Sequence, residues 1–269
     1  DTLSLHDALP IWTRDSELLY IIAAYEYEAK TGKMPVSHTS LMLAMHYIES
    51  NLLDSRGLIL GADWRDTMEK ELGDKALLTN NALLCHAYTL MGKTNPKMAQ
   101  FAERQRRLVG EVFWDGPLLQ DWPGNHSSGQ RFDPLGASLA VLYDVVPPER
   151  YGDVWHGFSS VGADDRKTVT IKCRHNPTSP EEARIIDQTD GVVVWPFVVG
   201  FSVLALVHMS RKTGDSWYRS KARFMYERLR DLEGFREWYD PATGEGYGAD
   251  RQLWSATLLA RAYNSLETG

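Results

Sequence analysis

Two stretches of the chain gather groups able to move protons. In Gly57–Asp66, GLILGADWRD, two carboxylates (Asp63 and Asp66), a guanidinium (Arg65) and an indole (Trp64) occupy consecutive positions, between glycines and a helix start expected at Thr67. In Phe235–Gly246, FREWYDPATGEG, Glu237 stands among Phe235, Trp238 and Tyr239. The following Asp240-Pro241-Ala242-Thr243-Gly244 is a turn by composition, because Asp bonds its own following backbone, Pro presets φ and Gly accepts positive φ. Aromatic neighbours would partly desolvate the Glu237 carboxylate and raise its pKa. Each stretch also has a plain reading. Asp66 or Thr67 caps a helix while Asp63 and Arg65 pair at the surface, and Glu237 is a solvated loop residue.

Brought to one mouth, the two stretches suit glycoside hydrolysis with inversion. One carboxylic acid protonates the departing glycosidic oxygen; a second carboxylate, about 6.5–9.5 Å away, activates water on the opposite face of the ring. Indole rings offer stacking platforms with a polar edge. Five of the nine tryptophans, Trp64, Trp122, Trp195, Trp238 and Trp254, fall in or beside these loops and the expected helix starts.

Other groups point elsewhere or nowhere. Asn80-Asn81 could meet sugar hydroxyls, although a helix cap or a buried hydrogen-bond network is the simpler use. His126 and Asp121-Trp122 lie in Leu119–Arg131, a loop able to cover a cleft, and Asn125-His126-Ser127 fits a glycosylation sequon that matters only in a secretory compartment. The chain has no Ser nucleophile elbow and no HExxH. Gly246-Tyr247-Gly248 is a lone GxG, which supports no nucleotide site. Cys85 and Cys173 lack disulfide or zinc-ligand spacing. No metal or organic cofactor is expected.

The 269 residues are 43% hydrophobic and 24% charged, which excludes disorder, collagen and coiled coil. A net charge of −7 gives no broad positive field for a phosphate backbone, so nucleic acid is not an expected partner. The basic run Arg104-Gln105-Arg106-Arg107 reads as a solvated helix face. Gly191–Val207, GVVVWPFVVGFSVLALV, is uncharged but shorter than the roughly 20 residues of a membrane span and carries Pro196, Gly200 and Ser202. It reads as a buried helix. The opening Asp1–Ile11 resembles translated sequencing adapter and is set aside as a non-native leader. The expected organisation is one catalytic domain over 12–269, truncated at its N-terminus.

Helical periodicity must supply the frame. Stripes run from Leu18 to Tyr27, ending at Thr31-Gly32, and from Leu41 to Leu52, capped by Ser37, Thr39 or Ser40. Further helices are expected over Leu77–Met91, Lys97–Val109 (closed by Gly110), Pro134–Val145, Pro196–Lys212 (closed by Gly214), Ser216–Leu232 and Asp250–Leu266. Only Thr168–Lys172 reads as a strand, a minor β-excursion. Helices apolar all round alternate with amphipathic ones, as in a toroid with buried inner and half-exposed outer helices. A helix bundle or a superhelix of hairpins gives much the same pattern.

The sequence resembles the catalytic domains of (α/α)6-toroid glycosidases: glycogen-debranching amylo-α-1,6-glucosidase, neutral invertase, trehalase and processing α-glucosidase. The stretches that carry the likeness are GLILGADWRDTM (57–68), LLTNNALLCHAYTLMG (77–92), FDPLGASLAVLYDVVPPER (132–150), WPFVVGFSVLALVHMSRKTG (195–214) and FREWYDPATGEGYGADRQLWSATLLARAY (235–263). The resemblance implies an all-α (α/α)6 toroid that cleaves an α-glucosidic bond with inversion. It further implies Asp63 as general acid, with Asp66 competing if Asp63 only orients Arg65, and Glu237 as general base. Trp64, Arg65, Asp66, Trp122, Trp195, Trp238, Tyr239, Gln252 and Trp254 would contact an oligosaccharide or polysaccharide. One departure is Asp190-Gly191, where those families often carry His-Asn or Arg-Gly. Rival expectations are a sugar epimerase or isomerase on the same fold, with two histidines facing Glu237, and a non-catalytic carbohydrate-binding toroid.

Overall fold

The computed structural model describes residues 14–65, 68–125, 131–164, 168–173, 177 and 179–268. The elements fall into two compact units that meet in sequence between Leu108 and Val109. The expected leader lies outside the described residues, as do Asp66, Thr67 and His126.

In the first unit, α1 (Ser16–Thr31) buries Leu18, Ile21, Ile22 and Tyr25, an i, i+3, i+4, i+7 stripe, and stops at Gly32 with φ of 70°. The Gly32 N–H closes the turn on the Glu28 carbonyl at 2.8 Å. Helix α2 (His38–Asn51) begins where the Ser37 hydroxyl accepts the Ser40 N–H at 3.1 Å, which settles the expected cap on Ser37. After the short α3 (Glu69–Leu72) comes α4 (Leu78–Gly92), buried along almost its whole length. Helix α1 packs on both α2 and α4. Helix α5 (Pro96–Val112) begins in this unit and runs through Gly110, where a stop was expected. Gly110 is not among the positive-φ glycines, so nothing in its backbone ends the helix.

The second unit is built on α9 (Pro196–Thr213), which packs against α6 (Pro134–Leu142), α10 (Ser216–Arg230) and α11 (Leu253–Glu267). Gly200 permits the approach of α11, since a Cβ there would stand 2.7 Å from the Leu258 Cβ. Between α6 and α9 the Ser138 and Ser202 hydroxyls meet at 3.2 Å. Asp133 caps α6, its two oxygens accepting the Leu135 and Gly136 N–H groups at 2.9 and 2.8 Å. Asp215 caps α10 through the Trp217 N–H at 2.8 Å. The expected alternation is present: α4, α6 and α9 are buried nearly all round, while α10 buries only one face.

Three two-residue antiparallel ladders accompany these helices among the described residues: β1 (Trp114–Asp115) with β2 (Leu118–Leu119), β3 (Ile171–Lys172) with β4 (Val192–Val193), and β5 (Trp238–Tyr239) with β6 (Gly246–Tyr247). The β-excursion therefore narrows to Ile171–Lys172. The reading of Gly191–Val207 as one helix is corrected as well. Val192 and Val193 are strand, and the helix starts only at Pro196, whose fixed φ suits a first helical position. Two helices went unforeseen: α7 (Tyr151–Ser160), in which Gly157 seats the Phe132 ring, and α8 (Pro180–Thr189), whose Ser179 cap and Pro180 are start signals. Among the described residues no helix is long and apolar enough to cross a membrane.

Candidate active site

In the first unit the 57–65 segment is pinned to α4 by amides. The Asn81 Oδ1 accepts the Ile59 N–H at 3.0 Å and the Gln105 Nε2 at 3.1 Å, while its Nδ2 donates to the Ile59 and Leu77 carbonyls at 3.2 and 2.8 Å. Asn80 donates to the Gly61 carbonyl at 3.0 Å. Both asparagines are fully buried, so they serve the hydrogen-bond network rather than a sugar. Gly61, at φ of 119°, leaves room for Arg14, whose Cγ would lie 2.6 Å from a Cβ there.

This anchoring presents Asp63, which is 0% exposed, to Arg65, which is 3% exposed. The guanidinium fork takes both oxygens: Nε to Oδ1 at 2.8 Å and Nη2 to Oδ2 at 2.8 Å, with the Arg65 backbone N–H adding a third bond to Oδ1 at 3.1 Å. The pair expected at the surface is thus interior, and bidentate. Trp64 beside it is half-buried.

In the second unit the β5–β6 hairpin carries Glu237. Its turn forms as the composition requires. The Asp240 Oδ1 accepts the Ala242 N–H at 2.8 Å, its Oδ2 accepts the Thr243 hydroxyl at 2.9 Å, and Gly244 takes φ of 77°. Below the turn, the half-buried Glu237 folds its carboxylate back over Gly248, the residue facing it. The Ala249 N–H donates to its Oε2 at 2.8 Å, and a Cβ on Gly248 would stand 2.6 Å from that oxygen. Two backbone bonds, at 2.9 and 3.0 Å, tie Tyr239 to Val194 and so set the hairpin beside Trp195.

The aromatic residues divide. Trp195, 6% exposed, meets Phe197 edge-on at 5.9 Å, and Phe197 meets Trp254 at 5.3 Å. Trp254 is 53% exposed and offers an open indole face. The stacking role expected of Trp238 is corrected, because this indole is 1% exposed and its face is covered by Tyr247 at 4.9 Å. Tyr239 is likewise interior. Its hydroxyl lies 2.9 Å from the Glu233 and Gly234 carbonyls and accepts the Arg236 N–H at 3.1 Å. Burial raises its pKa above the ordinary phenol value against the lowering effect of that N–H and of the Arg236 charge. Gln252 is half-buried and its backbone N–H reaches the Phe235 carbonyl at 2.5 Å. Trp122 is half-buried between the buried Asp121 and Asn125.

Two clefts flank the hairpin in this unit. One of about 900 Å³ is lined by Arg131, His156, Thr170, Pro241 and their neighbours, the other of about 1010 Å³ by Arg236, Glu245, Gly246 and Asp250 among others. Glu237 lines neither. Sequence reasoning missed Glu182, whose Oε1 accepts the Gly248 N–H at 3.1 Å beneath Glu237. The Ser-Pro-Glu-Glu start of α8 was the signal that could have placed it.

No protein-family model matches the sequence, and a search of curated proteins finds no match. Solved structures do resemble it. A D-mannose isomerase superposes with a TM-score of 0.66 at 13% identity, over 93% of this chain and 69% of that one. A glycosidase superposes with a TM-score of 0.67 at 17% identity, over 95% and 68%. The GH63 mannosylglycerate hydrolase from Thermus thermophilus, in complex with glucose, gives a TM-score of 0.50 at 17% identity, over 93% and 58%. At such identities the likeness speaks for fold alone, and the fold it shows is the all-α toroid class.

Proposed function

We propose that this chain belongs to an inverting glycoside hydrolase that cleaves an α-glucosidic bond of an oligosaccharide or polysaccharide, of the debranching amylo-α-1,6-glucosidase type. The observation that carries the reading is Glu237, a half-buried carboxylate fixed by one N–H over a glycine, on a hairpin tied to the Trp195–Phe197–Trp254 row. Such a group can orient a water molecule and take its proton. As the water oxygen bonds to the anomeric carbon, the glycosidic C–O bond breaks from the other face and the departing oxygen takes a proton from the general acid.

Asp63 is the donor in this scheme, for which inversion demands a carboxyl about 6.5–9.5 Å from the base. Both its oxygens accept from Arg65, so donation requires that substrate binding release one of them and that this oxygen first take up a proton from solvent. Asp66 is the competing donor, and Asp63 would then hold Arg65 against the sugar. Trp254 offers the stacking face, with Trp64, Trp122 and Gln252 as further contacts.

The test is a screen of the full-length protein on sucrose, trehalose, maltooligosaccharides and branched dextrins, with the released anomer followed by NMR. The reading expects a β-anomer from an α-glucoside and a loss of about 10²–10⁴ in kcat for Glu237→Gln at unchanged fold. Near-normal turnover by that variant removes Glu237 from the mechanism. A second reading, aldose–ketose isomerisation, draws on the likeness to D-mannose isomerase. Conversion of free mannose to a ketose, without hydrolysis of any glucoside, would favour it.

A further inference from the structure

We propose that Glu182 is a positioning residue for Glu237: by accepting the Gly248 N–H it fixes the Tyr247–Gly248 peptide, the immediate neighbour of the Gly248–Ala249 peptide whose N–H seats the Glu237 carboxylate. The inference rests on the reading of Glu237 as general base. Glu182 is 7% exposed, an uncommon state for a carboxylate. It is the third residue of a helix start capped by Ser179, where a glutamate ordinarily closes a capping box on its own helix. Here its Oε1 serves Gly248 instead, 66 residues on, at 3.1 Å. Nor does α8 need a buried charge for its dipole, because the adjacent, exposed Glu181 already supplies one and pairs with Arg184.

The consequence is geometric. Two successive amides of the β6 edge each carry a carboxylate from a different element, Gly248 that of Glu182 and Ala249 that of Glu237. Gly248 has φ of 70° and no side chain to hold it, and a Cβ there would collide with Glu237 Oε2 and with Glu237 Cβ at 2.8 Å. The residue that must stay glycine is therefore the one most free to rotate. With the Gly248 N–H fixed, one of the two peptides flanking this glycine is anchored, which narrows the swing of the other, whose Ala249 N–H holds the base in place. A displacement of about 1 Å in a reacting group can cost about 100-fold in rate.

The experiment compares Glu182→Ala, Glu182→Asp and Glu182→Gln in the full-length protein, with Glu237→Gln as reference. Two readouts are taken: kinetics on whichever glycoside the wild type hydrolyses, and hydrogen exchange of the Ala249 amide by NMR. Glu182→Ala and the shortened Glu182→Asp should lower kcat about 10- to 100-fold with KM within twofold, and expose the Ala249 amide to faster exchange. Glu182→Gln, whose side-chain oxygen still accepts, should restore both. Wild-type kcat in Glu182→Asp, or Ala249 exchange unchanged in it, would overturn the proposal, as would a Gln variant no better than Asp. The exchange readout stands without any activity, so full turnover by Glu237→Gln would remove the base assignment alone.

Discussion

At the scale of single residues, the two candidate carboxylates sit in opposite circumstances. Asp63 is interior and gripped at both oxygens by Arg65, while Glu237 is half-buried and accepts the Ala249 N–H. Removing the charge of Asp63 takes from the buried Arg65 the counter-ion that grips its guanidinium by two bonds. Asp63→Asn should therefore destabilise the protein by about 3–5 kcal/mol in denaturant unfolding, whereas Glu237→Gln should leave stability unchanged. Equal stability of Asp63→Asn and wild type would show that Arg65 finds another counter-charge. At Gly248 the expected result is the reverse. A methyl group would push against the Glu237 carboxylate, and φ of 70° adds strain, so Gly248→Ala should lose at least tenfold in kcat, checked by steady-state kinetics beside a thermal melt. Gly248 and Glu182 were not legible as functional. A glycine reveals its neighbours only after folding, and Glu182 is assigned to Glu237's seat by a contact 66 positions away.

Individual elements turn sequence signals into position. The Asn81 side chain is the brace that joins the 57–65 segment to α4, and replacing it with alanine strands the Ile59 N–H and C=O and the Gln105 amide. Asn81→Ala should cost about 2–4 kcal/mol, measured by denaturant unfolding. On the same helix the His86 ring is largely buried with Glu26 at 3.8 Å, and burial drives its pKa down from 6.5 to about 4 against the raising influence of Glu26. Between those values the unfolded chain binds a proton that the folded one refuses. Stability from this source is thus complete above about pH 6.5 and falls as pH drops toward 4. His86→Gln should lose less unfolding temperature than wild type between pH 7 and pH 5. Parallel losses in the two proteins would place the acid sensitivity elsewhere. Helices with long stripes and terminal signals, such as α1 with Gly32 and α9 with Gly214, were legible within a residue or two. Helix α7 was not, because its two glycines and mixed pattern acquire meaning only when Gly157 receives the Phe132 ring.

For the molecule as a whole, a toroid fold is shared by enzymes of different chemistry, and the structures that resemble this chain include both a glycosidase and a D-mannose isomerase. The distinction lies in where water goes. A hydrolase places solvent oxygen on the anomeric carbon, so turnover of a glucoside in ¹⁸O-labelled water should yield labelled glucose of inverted configuration, read by mass spectrometry and NMR. An isomerase acting on a free sugar forms its ketose without that bond-breaking step. The alternation of helices buried all round with helices buried on one side was readable from composition and period.

By itself, the sequence determined the helical class, the main helix limits, the Asp240–Gly244 turn and the two carboxylate-bearing segments, because each depends on residues within one or two turns of each other. The tertiary structure alone decided that Asp63 is locked to Arg65 inside the protein, that Trp238 is covered by Tyr247 while Trp254 is open, and that Glu182 lies under the seat of Glu237. Burial and partner choice depend on which distant surfaces meet when the apolar faces close, and no local pattern along the chain encodes that meeting.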